Sequence, residues 1–117
     1  MSTYRLGGWT ITEKEAIAWA ARLSGKPEEE VPWQYASMVV RRHLRKHGIR
    51  LAAVTYPKDV DVLMLVTKAE PHVGWRRGDD PTQLEQFEQA KEDALILKAL
   101  KREGVQDTQF VTSHGRW

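Results

Sequence analysis

Apolar residues recur at helical spacing in three stretches of the chain and crowd together in a fourth. Ala16, Trp19, Ala20 and Leu23 step by three or four residues, the period of one helix face. Ahead of them, Thr12 and Glu15 form an S/T-x-x-E capping box, whose hydroxyl and carboxylate each accept an otherwise orphaned backbone N–H. Gly25 supplies the stop, so a first helix is predicted to end at about Ser24. A polar connection, Lys26 to Val31, leads to Pro32, which suits the first position of a second helix because its missing N–H costs nothing there. Trp33, Ala36, Val40 and Leu44 make the apolar stripe of that helix, with His43 and His47 beside it. Arg41, Arg42, Arg45 and Lys46 fill its last turns, where cations suit the negative end of the helix dipole, and Gly48 closes it.

Period-two patterning follows. Ile49 to Tyr56 and Val60 to Lys68 read as two strands joined by Pro57-Lys58-Asp59, an antiparallel hairpin. Val62 to Val66 is apolar at successive positions, so both faces of that strand are expected to be covered and the strand to be central. It then needs a neighbour beyond the hairpin, and Phe110 and Val111, within Thr108 to Thr112, are the candidate. Tyr4 to Leu6 reads as a short edge strand that Gly7 and Gly8 end. Glu70 to Asp80 reads as a loop. Asp80, Pro81 and Gln83 then signal the start of a third helix, with Leu84, Phe87, Ala90, Ala94 and Leu97 on one face and Gly104 as its stop. From Pro81 to Glu103 such a helix spans roughly 35 Å, and its second half is apolar on more than one side. One face must cover the sheet; the other is left for the first two helices or for a second subunit.

These elements predict an α+β fold of order α-α-β-β-α-β, a small antiparallel or mixed sheet of three strands packed by two N-terminal helices and one long C-terminal helix. The 117 residues suit one domain, with 113–117 as a loose tail. Hydrophobic residues at 41% and charged residues at 29% are a globular composition. The chain has no cysteine, which excludes a disulfide scaffold, a thiol nucleophile and thiolate metal sites. No apolar run approaches the roughly 20 residues of a membrane helix, and MSTYRLGGWT has no apolar signal core. An intracellular protein, cytoplasmic or nuclear, with no membrane contact is therefore expected.

Charge changes the picture more than composition does. The formal net charge is +2, but residues 41–77 hold nine Lys or Arg against three acids, while both flanks carry more acids than bases. Such a field attracts an anionic partner or orients one copy against another. Arg41, Arg42, Arg45, Lys46 and Arg50 form the densest cationic stripe, suited to charge-assisted hydrogen bonds with phosphates. Trp75, Arg76 and Arg77, bounded by Gly74 and Gly78, add a stacking plane and forked donors, a combination that fits single-stranded nucleic acid or a protein hot spot.

Other chemistry is thinner. His43 and His47 have the i, i+4 spacing of a metal pair, but a third ligand is missing and the neighbouring bases repel a cation, so no metal or cofactor is expected. Glu70, His72 and His114 are the weak acid–base candidates, the histidines falling just past two strands where they can approach each other. A P-loop, a dinucleotide-binding glycine fingerprint, a nucleophile elbow and a phosphate-clamping GXXG loop are absent. Three functions remain. The first is a non-catalytic interaction module, partnered by another protein or by its own copies through the long third helix. The second is a nucleic-acid-binding domain using the basic stripe with the tryptophan loop. The third is a small enzyme built on His72 and His114.

Overall fold

In the computed structural model, which describes residues 3–76 and 79–116, seven regular elements follow one another. They are β1 (Thr3–Ile11), α1 (Glu13–Ser24), α2 (Trp33–Lys46), β2 (Arg50–Thr55), β3 (Asp61–His72), α3 (Lys91–Arg102) and β4 (Thr108–Gly115), with single 3-10 turns at Glu28–Glu30 and Pro81–Gln83. The four strands form one antiparallel sheet in the order β2-β3-β1-β4. The α+β class is as expected. The element order is not: it is β-α-α-β-β-α-β, with four strands rather than three.

The difference at the N-terminus lies in Gly7 and Gly8. They do not end an edge strand; they sit in the middle of β1, which lies between β3 and β4. A Cβ on Gly8 would stand 1.9 Å from the Leu65 carbonyl oxygen, and one on Gly7 would stand 2.6 Å from the Phe87 ring. Glycine is needed here for close approach rather than for a turn. Between these two residues the register against β3 slips by one, a bulge that sharpens local twist. β3 is central as expected, but its second neighbour is β1, and the Phe110–Val111 strand pairs with β1 instead.

The first two helices match their patterns closely, and the hairpin is present. β3 runs on to His72, however, because β1 pairs with residues 70–72, which the sequence pattern gives as a loop. Thr12 Oγ1 accepts from the Glu15 N–H at 3.2 Å, and Gly25 closes α1 with φ of 71°. The Glu15 carboxylate does not complete the box; it accepts from the backbone N–H of Gln106 and Asp107, tying α1 to the turn before β4.

The third helix is shorter than its pattern. Asp80 caps only the 3-10 turn, through Thr82 N–H at 2.9 Å. Residues 84–90 then run without helix, held by tertiary contacts that outweigh helix propensity. Phe87 N–H donates to Thr112 Oγ1 at 2.9 Å, the Arg5 guanidinium lies 4.3 Å above the Phe87 ring, and Arg5 donates to the Glu85 carbonyl. The helix restarts where Asp93, fully buried, accepts from the Ala90 N–H at 2.6 Å and from Lys68 Nζ at 2.5 Å. Burial pushes the Asp93 pKa up, but hydrogen bonding from Lys68, Thr67 and the Ala90 N–H prevails and holds it below the ordinary carboxylate value.

Two cores result. Trp9, Ile11, Leu63 and Leu65 on one sheet face pack with Ala16 and Trp19 of α1, Val40 and Leu44 of α2, and Leu100 of α3. On the other face Leu6, Val54, Met64, Val66 and Val111 pack together, because the sheet curls until its outer strands meet. Ser113 Oγ donates to the Thr55 carbonyl across that seam at 2.6 Å. Ser113–Gly115 is thus part of β4 and not of a loose tail; Trp117 lies outside the described residues.

Candidate functional site

The end of α2 turns directly into β2, and this turn builds the basic surface. Ile49 N–H returns to the Leu44 carbonyl at 3.0 Å, and Gly48, with φ of 73°, takes the left-handed conformation that a tight helix stop requires. Arg41 on α2 then reaches the outer edge of β2, where its guanidinium donates to the Leu51 carbonyl at 2.6 Å. That carbonyl points away from β3, as does the Thr55 carbonyl that takes Ser113, in keeping with the alternation of an antiparallel ladder.

Along this edge runs an open groove of about 1130 Å³. Arg41, Arg45 and Arg50 line it from α2 and β2, and Trp75, His114 and Arg116 from the loop after β3 and the end of β4. Leu51, Val54 and Val66 supply apolar walls, and no Asp or Glu is among the described lining residues. Among the described residues, Arg41, Arg42, Arg45 and Lys46 meet no carboxylate.

Trp75 is anchored. Its ring stacks on His114 with centroids 3.6 Å apart and planes 30° from parallel. Asp79 fastens the loop by accepting from the Arg76 backbone N–H at 2.8 Å, while its own N–H donates to the Arg76 carbonyl. The acid beside the arginines therefore holds the turn's backbone and leaves the Arg76 guanidinium exposed. Burial pushes the His114 pKa below the ordinary imidazole value; the Asp79 charge opposes this and the nearby His72 adds to it.

Of the basic stripe, then, Arg41, Arg45 and Arg50 come together with Trp75 in one groove. Arg42 and Lys46 are exposed outside its lining, as is Arg76, and Arg77 lies outside the described residues. The residues that sequence reasoning missed are Thr3 and Arg116, for which strand-end position was the one available signal.

The acid–base candidates are placed apart in role. His72 pairs with Thr3 in the sheet and His114 with Arg5, so β1 runs between them. His114 lines the groove and His72 does not. Glu70 is held by an ion pair with the Arg5 guanidinium. His43 and His47 have rings 5.1 Å apart, but His43 Nε2 is engaged by Glu103 Oε1 at 2.9 Å. Among the described residues, no cluster of three or more His, Asp or Glu is arranged to hold a metal, and no helix is long and apolar enough to cross a membrane.

Fold and groove together describe an α+β domain with an arginine-lined channel along a sheet edge. No protein-family model matches the chain, and no curated protein or solved structure does either.

Proposed function

We propose that this protein is a binding module whose groove takes single-stranded nucleic acid. The observation that carries the reading is the convergence of Arg41, Arg45 and Arg116 with an anchored Trp75 in one channel that has no Asp or Glu among its described lining residues. Phosphates lie along the guanidinium groups as forked, charge-assisted acceptors. A base packs against the indole, whose π-face accepts any base without sequence preference. The groove, at about 1130 Å³, exceeds the roughly 300–1,000 Å³ of sites built for drug-sized ligands, which favours an extended chain over a single small anion.

Fluorescence anisotropy with a labelled oligonucleotide at several salt concentrations tests this. Phosphate contacts release counterions, so the logarithm of the affinity falls with the logarithm of salt by about 0.7 per neutralised phosphate. Arg45→Ala and Arg116→Ala should each weaken binding evenly across sequences and lower the slope by about that amount. Absence of binding at low salt overturns the reading.

A second reading, association between copies of the chain, rests on Leu95, which is 65% exposed on α3. It draws less support than the long-helix pattern promised, since α3 is 12 residues rather than the predicted span from Pro81 to Glu103. Light scattering at high protein concentration decides it: a monomer removes the idea, and a dimer lost on Leu95→Lys sustains it.

A further inference from the structure

A second cavity, of about 200 Å³, lies in the seam between α2 and α3. Leu44, Ile49, Leu65, Ile96 and Leu100 give it apolar walls, and Trp19, His43, His47 and Glu103 bring polar atoms to it. Two of those polar atoms are buried and have no hydrogen-bond partner among the described residues: the Trp19 Nε1–H, on a residue only 2% exposed, and Glu103 Oε2. The other Glu103 oxygen is committed to His43. Buried polar atoms in folded proteins are nearly always partnered, and here a lone donor and a lone acceptor line one apolar space.

We propose that this seam is a binding site for a small, uncharged, mostly hydrocarbon molecule carrying a hydroxyl group, such as a simple phenol or alcohol. The chemistry selects it. An ammonium group has donors but no acceptor and leaves Trp19 unsatisfied; a carboxylate has acceptors only and leaves Glu103 unsatisfied. A hydroxyl accepts from the Trp19 N–H through a lone pair and donates its proton to Glu103 Oε2. Hydrocarbon fills the remainder against leucine and isoleucine. The size is suitable too, since an apolar cavity of about 150 Å³ holds benzene. The Trp19 ring is in edge-to-face contact with the His43 ring at 5.7 Å, and that same imidazole is bonded to Glu103.

Nuclear magnetic resonance of the intact chain, with the Trp19 indole N–H as reporter, provides the test. Titration with p-cresol should shift that resonance saturably, and p-cresol should bind about tenfold or more tightly than toluene. Benzylamine and benzoate should bind more weakly than p-cresol. Ile96→Trp, which fills the space, should abolish binding while the dispersed spectrum persists. Glu103→Leu should bring p-cresol down to the affinity of toluene; Trp19→Phe, read through the His43 ring protons, should do the same and covers the case in which the first variant does not fold. Equal affinity of p-cresol and toluene for the native chain overturns the proposal, as does no saturable shift or binding that survives Ile96→Trp. An oligonucleotide should not compete with p-cresol, which separates this site from the groove.

Discussion

Lys68 and Asp93 put charge to one use, and the arginines of the groove put it to another. The first pair is interior: Asp93 is fully buried, and Lys68 and the Ala90 N–H converge on one of its oxygens to fasten β3 to the start of α3. In the groove, Arg45 and Arg116 are exposed and meet no carboxylate among the described residues. Paired charge inside the molecule is tied to its stability, whereas exposed charge such as that of Arg45 and Arg116 is available to a ligand. Removing either kind of group should therefore produce opposite signatures.

The largest effect is expected at the buried pair. Asp93→Ala leaves Lys68 without its partner and strips the first turn of α3 of its acceptor, so urea denaturation should show a loss of about 3 kcal/mol or more. Lys68→Met combined with Asp93→Leu should cost less than Asp93→Ala alone, since no uncompensated charge remains. A loss below about 0.5 kcal/mol for Asp93→Ala would place the pair with ordinary surface groups. Gly8→Ala probes the same interior from the backbone. Its methyl would stand 1.9 Å from the Leu65 carbonyl oxygen, so the strands must separate, and a loss of about 2–3 kcal/mol is expected by thermal denaturation.

Acid sharpens the contrast. The folded Asp93 carboxyl lies below the ordinary value, so its stabilisation is complete above roughly pH 3.9 and is lost as pH falls through the folded pKa. Asp93→Asn should flatten that part of the curve. His114 is also depressed. Its contribution is present above about pH 6.5 and is lost as pH falls through its folded pKa, so His114→Phe should flatten the stability curve just below neutrality. Protonation of His114 adds a cation to the groove, so oligonucleotide affinity should rise over the range in which stability falls. The smallest effect on stability is expected at Arg45→Ala and Arg116→Ala, each within about 0.5 kcal/mol of the native chain, despite their predicted loss of binding.

How much of this was legible in the sequence depended on how local the cause is. α1, α2 and the hairpin announce themselves because capping residues and periodic apolar positions lie within one element. β1 was concealed because glycine carries the same letters whether it turns a chain or lets another strand approach, and the Leu65 carbonyl that forces the choice at Gly8 is far away in sequence. The third helix is shorter than its spacing suggests because Leu84 and Phe87 keep helical spacing while the groups that hold Glu85 and Phe87, Arg5 and Thr112, lie on β1 and β4. The groove was half visible: its helical arginines form a local run, but Arg116 and Thr3 join only through the sheet. The pairing of His43 with Glu103, 60 residues apart, left no trace in spacing.

The meeting of β2 with β4 has a bearing on how this protein survives at high concentration. A four-stranded sheet left flat would expose two ribbons of unmet amide and carbonyl groups, the usual template for polymer growth between identical chains. Here Ser113 occupies one such carbonyl on β2 and Arg41 another, so a fibril would have to strip both before it could begin.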